Sequence, residues 1–291
     1  MRSLLFCPGD SERKLEKAFA SGADVVIVDL EDSVSPENKA TARRVAPSSI
    51  RALRAEGGPK VYVRVNDLTT GMTAADVAAV VSAGIDGIML PKAVGAADTI
   101  HLAVMLRVAE AEAGVEDGST GIIPIITETA AALLAGATWT HQPRLAGLTW
   151  GAEDLSASIG ARVARGEDGR YLDVFRYARM MALLAAGAAD VAAIDTVFPD
   201  FRDERGFARD CVEAERDGFT AKMAIHPAQV PVINAAFTPS TEAVEQSRAV
   251  IEAFEMAGNP GVLAIGGKMY DRPHLRLAER LLARARAAGR A

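Results

Sequence analysis

Several things are scarce in this chain of 291 residues. Its two cysteines, Cys7 and Cys211, form neither a metal-ligating spacing nor a disulfide framework, which fits a reducing cytoplasm. No run of about 18 apolar residues occurs, so no membrane-spanning helix is expected. The opening MRSLLFCPGD meets Pro8 and Gly9 too early for the apolar core of a signal peptide, and a cytoplasmic protein is expected. Basic charge is short as well. Against 32 Lys and Arg stand 38 Asp and Glu, a net charge of −6, which points away from nucleic-acid and membrane partners. Gly-rich phosphate loops are missing: CPGDSER lacks G-x-G-x-x-G, and the Gly-Gly pairs at 57–58 and 266–267 sit in turn-like contexts. No internal repeat is evident.

What is present is ordinary for a soluble protein with a sizeable core, 49 % apolar and 24 % charged. Short apolar runs alternate with stretches of helical period. Eight runs read as strands: Leu4–Phe6, Val25–Asp29, Val61–Val65, Gly87–Leu90, Ile122–Ile126, Leu145–Thr149, Ala192–Asp195 and Thr220–Ile225. Between them, Leu15, Ala18 and Phe19 form one apolar helix face; Ala74, Val77, Ala78 and Val81 form another; Leu102, Met105, Leu106 and Ala109 a third. Ser35-Pro36 reads as a helix start and Thr73…Asp76 as a capping box. Alternation of this kind implies a parallel sheet, and eight units suggest closure into a (β/α)8 TIM barrel over residues 1–238; an open doubly wound sheet is the alternative. Residues 239–291 exceed one closing helix. They read as a helical arm (a helix over Thr241–Phe254, a loop, then a basic helix) that packs on a neighbouring subunit or covers a site.

The stretch VVIVDLED poses the functional question. Four β-branched residues suit a strand buried on both faces, yet Asp29, Glu31 and Asp32 crowd its end. In a (β/α) barrel the chemistry sits where strands end. Polar groups at those ends are Asp29, Glu31, Asp32, Arg64, Asn66, Lys92, Glu128, Glu153, Asp154, Asp195 and His226. Such a set needs mutual neutralisation or a cation. Glu128 and Asp154, following strands five and six, suit Mg2+ or Mn2+, which keep waters and accept substrate oxygens; the plainer reading of each is a helix-start acid. Arg64 reads as an oxyanion stabiliser, as a structural partner of Glu31 or Asp32, or as both. Lys92 balances the acids or binds substrate. His226, before a proline, reads as an orienting hydrogen-bonder rather than a base. Cys7 has no histidine neighbour in sequence to activate it as a nucleophile.

In chain order stand RSLLFCPG, DLEDSVSPENKATAR, VRVN, LPK, ITETA, GAEDL and GFTAKMAIHPAQV. On these motifs the chain resembles, over nearly its whole length, the citrate lyase β-subunit-like (CitE-like) proteins of the HpcH/HpaI aldolase superfamily, relatives of the malyl-CoA and citramalyl-CoA lyases. The resemblance implies a TIM barrel, Mg2+ (or Mn2+), and carbon–carbon cleavage or formation on a thioester. It puts the metal carboxylates on Glu128 and Asp154, and substrate contacts on these, Glu153 and Arg64. It puts CoA contacts around Phe6, Cys7, Arg13 and Lys17, and at Ile225 and His226. The tail GGKMYDRPHLRLAERLL resembles the segment with which a neighbouring subunit supplies an acid/base aspartate, here Asp271, which also reads as a plain helix cap before Pro273. The implied reaction is retro-Claisen cleavage of an acyl-CoA by a homo-oligomer, a trimer or a hexamer. Alternatives are a citrate-lyase-type subunit in a carrier-protein complex and a non-catalytic CoA-binding barrel. On this reading Asp29, Glu31, Asp32 and Lys92 back the site, with DLED orienting Arg64.

Overall fold

Eight strands too apolar on either face to meet water set the architecture. The computed structural model describes residues 1–54, 57–140 and 142–290. In chain order the elements begin β1 (Ser3–Pro8), α1 (Glu12–Phe19), β2 (Val25–Asp29), α2 (Lys39–Leu53), β3 (Lys60–Arg64), α3 (Thr73–Val81) and β4 (Gly87–Leu90). There follow α4 (Ala96–Ala113), β5 (Gly121–Pro124), α5 (Ala130–Leu134), β6 (Gly147–Thr149), α6 (Ala152–Ile159), α7 (Asp173–Ala189) and β7 (Ala192–Asp195). The last are α8 (Glu204–Asp217), β8 (Ala221–Ala224), α9 (Gln229–Phe237), α10 (Thr241–Met256), β9 (Val262–Ile265), β10 (Lys268–Asp271) and α11 (Arg272–Ala287). The chain divides into two compact units, Arg2–Asn234 and the residues from Ala235 on.

In the first unit all eight strands are parallel, in the order β5-β4-β3-β2-β1-β8-β7-β6. The two ends meet: Ile122 N–H donates to Arg144 O (2.7 Å) and Ile126 N–H to Thr149 O (3.0 Å). Alternate N–H groups of a parallel strand face the same neighbour, and Pro124, which lies between those two, has none. The seam is therefore the thinnest part of a nearly closed (β/α)8 barrel. β1 is longer than the apolar run suggests because it pairs on both edges, with β2 through Pro8 and with β8 from Ser3. Val25 to Asp29 are buried throughout, as a parallel strand covered on both faces requires.

Two helix starts differ from expectation. Thr73 is the first residue of α3, not its cap, and its hydroxyl donates to Asn66 O and Asp67 O (both 2.9 Å). Asp76, fully buried, accepts from the Asn66 backbone (2.8 Å) and side chain (2.7 Å) and pairs with Arg43 (2.6 Å). Ser35 makes no capping bond, and one 3-10 turn, Pro36–Asn38, precedes α2.

The unit from Ala235 on has its own apolar seam. Val250, Phe254, Leu275 and Ala278 pack with Leu263, Ile265 and Tyr270, joining α10 and α11 to a hairpin where a loop was expected. β9 and β10 are antiparallel, Ile265 opposite Lys268. Gly266 (φ 56°) and Gly267 (φ 78°) supply the two left-handed positions of its tight turn. No helix among the described residues is long and apolar enough to cross a membrane.

Candidate active site

Parallel pairing puts Asp29, the last residue of β2, in register with Arg64, the last of β3. Arg64 donates Nε to Asp29 Oδ1 (2.7 Å) and Nη2 to Oδ2 (2.6 Å), the fork geometry a guanidinium offers a carboxylate. Its Nη1 lies 3.0 Å from Glu31 Oε2, and its Cζ sits 4.8 Å from the centre of the Phe6 ring. Two of its five N–H donors are spent on Asp29, while the contact with Glu31, whose Oε2 accepts no hydrogen bond, is an ion pair alone. Burial works against the Arg64 charge, but Asp29, Glu31 and Glu128 more than offset it and raise its pKa. Burial likewise opposes ionised Asp29; Arg64, Ser33 and the Glu31 N–H overcome it and hold the carboxyl below the usual range. For Glu31 burial wins over Arg64 and Lys92, and its pKa rises.

Beyond β4 the chain turns sharply at Lys92, whose φ of 52° is in the left-handed region. That turn aims the Lys92 N–H at Glu128 Oε2 (2.5 Å). The Lys92 ammonium pairs with Glu31 and also reaches Asp154 Oδ1 (3.4 Å) and Asp32 Oδ2 (3.5 Å). Glu128, past the end of β5, is 3 % exposed. Burial pushes its pKa up to about 8; the Lys92 N–H pulls the other way, and Asp154 and Glu31 add to the rise. Gly151, just before α6, closes the cradle. A Cβ there would lie 2.8 Å from Glu128 Cγ and 3.1 Å from Oε1, so only glycine lets the carboxylate rest in place. Asp154 stands in the first turn of α6, partly exposed, and Glu153 beside it is exposed.

The donor set fits a hard cation. No three ligating side chains converge among the described residues. Glu128 and Asp154 would hold the ion with two carboxylates, leaving positions for water and substrate oxygens, which is the coordination Mg2+ favours. A carboxylate buried among other acids gains most from such a partner.

Other strand-end residues go elsewhere. Asp195 is buried against Trp150 Nε1 (2.7 Å), Lys222 Nζ (2.8 Å) and Arg179 Nε (3.2 Å), facing the helices α7 and α8. Asn66 is tied to Asp76 and to Leu30 O (3.1 Å). Among the residues expected around CoA, Cys7 is buried and burial pushes its thiol up to about 12, so it is inert as a nucleophile. Arg13 and Lys17 are exposed one turn apart on α1. Ile225 and His226 follow β8, and both backbone N–H groups donate to Gln229 Oε1. His226 stacks on Phe201 with centroids 4.8 Å apart, a pairing 25 residues distant that no motif announces. Asp271 belongs to the second unit, where it caps α11. It accepts from His274 N–H (3.4 Å), with His274 Nδ1 2.5 Å from Oδ1, and this contact lowers its pKa.

A family model described as HpcH/HpaI aldolase/citrate lyase matches residues 2–227. A Cereibacter sphaeroides (strain KD131) protein named (3S)-malyl-CoA thioesterase is 35 % identical over 291 residues, spanning 98 % of this chain and 95 % of its own. A Mycobacterium tuberculosis (strain H37Rv) protein named citrate lyase subunit beta-like is 36 % identical over 281 residues, spanning 97 % and 94 %. The crystal structure of CitE from Mycobacterium tuberculosis in complex with magnesium, acetoacetate and coenzyme A is similar with a TM-score of 0.74 and 35 % identity. It covers 98 % of this chain and 97 % of that one.

Proposed function

Because the chain belongs to the HpcH/HpaI aldolase/citrate lyase family, we propose that it is a Mg2+-dependent carbon–carbon lyase acting on a CoA thioester. The substrate is a 3-hydroxyacyl-CoA such as malyl-CoA or citramalyl-CoA, split to a 2-oxo acid and acetyl-CoA by a retro-Claisen reaction, or joined in reverse. One observation carries this reading. Arg64, locked to Asp29 by a two-point fork and ion-paired with Glu31, lies within the field of Glu128 in the same cluster as Asp154. The magnesium and coenzyme A of the similar structure lend weight to both ligands.

Mg2+, held by Glu128 and Asp154, would polarise the hydroxyl and carboxylate oxygens of the reacting acid. Arg64 presents its unspent N–H groups to the thioester oxygen, where charge develops as the C2–C3 bond breaks and an enolate forms. Loss of one such donor costs roughly 3–4 kcal/mol of barrier in comparable oxyanion sites. As the C2–C3 bond breaks, the 3-hydroxyl gives its proton to water at the mouth and becomes the 2-oxo carbonyl. Asp271, acting from a neighbouring subunit of a trimer or of a hexamer built from trimers, delivers a proton to the thioester α-carbon or, in the reverse direction, removes it. Phe6, Cys7, Arg13, Lys17, Ile225 and His226 form the region for the CoA moiety, in a cytoplasmic enzyme.

A second reading, hydrolysis of the thioester, is favoured by the relative named a malyl-CoA thioesterase. Incubation of the purified chain with Mg2+ and a panel of 3-hydroxyacyl-CoA esters separates the two. Release of glyoxylate or pyruvate with acetyl-CoA marks the lyase. Release of free CoA thiol with the intact hydroxy acid marks the thioesterase. Turnover only with a carrier-protein thioester would replace both by the citrate-lyase-type subunit, and no turnover with any of these substrates would leave a binding barrel.

A further inference from the structure

Lys92 does more than its motif suggests. A residue with a Cβ at φ 52° carries backbone strain, which persists where surrounding contacts require it. Here the contact is visible, since the strained turn delivers the N–H that binds Glu128. The same residue sends its ammonium to the opposite side of the acid cluster, to Glu31, Asp32 and Asp154. Residues following β2, β4, β5 and β6 are thereby fastened through one side chain and one amide. Among the described residues, the carboxylates of Asp29, Glu31, Asp32 and Asp154 ion-pair with two cations, Arg64 and Lys92, whose amide binds Glu128, while the Lys39 ammonium is taken up by the Leu30 and Glu31 carbonyls (2.8 and 2.7 Å). Arg64 is committed to Asp29 by a two-point fork. Lys92 is held less rigidly, with a side chain about a quarter exposed and two of its three ion pairs at 3.4 Å or beyond.

We propose that Lys92 is the resident cation of this cluster: a positioning residue whose ammonium holds Asp154 and yields it to an incoming divalent ion. The inference rests on Glu128 and Asp154 being the metal carboxylates. It assigns two separable duties. The backbone N–H orients Glu128 whatever the side chain is. The ammonium screens the acids from one another and competes with the metal for Asp154, setting a ceiling on metal affinity. Since like charges a few ångströms apart repel, removing the ammonium tightens metal binding; partial exposure and solvent screening keep the gain to about tenfold. A lysine that merely braced the cluster would act with the opposite sign, because without it the acids would spread and the ion would bind more weakly.

The test is a calorimetric titration of the full-length chain with Mn2+. Wild type binds and Glu128→Gln loses at least a hundredfold in affinity; if Glu128→Gln binds as wild type does, the metal assignment itself fails. Lys92→Met and Lys92→Gly, which both keep the amide, bind about tenfold more tightly, and Lys92→Arg stays within threefold of wild type. Wild-type-like or weaker binding by Lys92→Met and Lys92→Gly, with Glu128→Gln still defective, overturns the inference about Lys92 alone. Should these variants fail to fold, acetylation of the wild-type chain read by peptide mass spectrometry decides. Saturating Mn2+ raises acetylation of Lys92 at least threefold relative to exposed Lys60, and an unchanged or lower ratio overturns the inference.

Discussion

Asp29→Asn puts the acid end of β2 to its sharpest test. The carboxylate is 1 % exposed and accepts four hydrogen bonds, two from Arg64 and one each from the Glu31 and Ser33 backbone (2.9 and 3.1 Å). Asparagine keeps one acceptor oxygen but turns an NH2 group toward one of those donors. Breaking a buried ion pair from one side costs about 3–5 kcal/mol; Glu31 still pairs with Arg64 here, which lowers the expected loss to about 2–4 kcal/mol. In a domain of this size that lowers Tm by roughly 5–10 °C. Arg64 loses its two-point anchor, and an ångström of misplacement lowers kcat/KM by about a hundredfold. The sign with pH follows from the depressed folded pKa of Asp29. Its contribution is fully present above the unfolded pKa near 4 and is lost as pH falls through the lower folded value. Urea melts of wild type and Asp29→Asn should therefore differ most at pH 7 and converge as pH drops below about 4. Equal midpoints at pH 7 would refute the energetic argument, and a destabilised variant with unchanged kcat/KM would refute the orienting role.

Three further outcomes follow from the geometry. Gly151→Ala should displace the Glu128 carboxylate, weakening Mn2+ binding and turnover by at least tenfold while changing unfolding free energy by less than about 1 kcal/mol; unchanged Mn2+ affinity would show that the cradle is unnecessary. Asp271→Asn keeps a good helix cap, so its melt should match wild type while turnover collapses; Asp271→Ala should lose about 1 kcal/mol as well. Asp32→Asn should change kcat/KM by less than threefold and stability by less than about 0.5 kcal/mol, because Asp32 is exposed and approaches Lys92 at a distant 3.5 Å; a large loss in either assay would contradict that.

The barrel was legible because parallel strands buried on both faces must be written in apolar, largely β-branched runs, and those runs stand out between helical periods. The polar ends were legible in position but not in direction. Whether a strand-end side chain turns to the barrel mouth or back to the helices depends on pleat parity and on which partner captures it. Asp195 went to Lys222 and Arg179, and Asn66 to Asp76, because those buried groups needed pairing more than the mouth did. The hairpin was hidden for another reason. VLAI is apolar but only four residues long and KMYD is mixed in polarity, and the packing of Leu263, Ile265 and Tyr270 against α10 and α11 is what makes them strands.

Backbone geometry explains what remained of VVIVDLED. Three acids in four positions look equivalent on paper, but the chain leaves the strand after Asp29 and each then meets a different partner. Asp29, still in register with β3, takes both prongs of Arg64. Glu31, held back by its own N–H bond to Asp29, faces Arg64 on one oxygen and Lys92 on the other. Asp32, one residue further, points to solvent and only approaches Lys92. The negative charge that seemed to ask for a metal is thus largely answered by two cations from β3 and the β4 loop. The carboxylate left without a cation of its own is Glu128, which receives a backbone amide where Glu31 receives an ammonium. That inequality, rather than the count of acids, is the ground for proposing that a divalent ion binds on the β5–β6 side of the mouth.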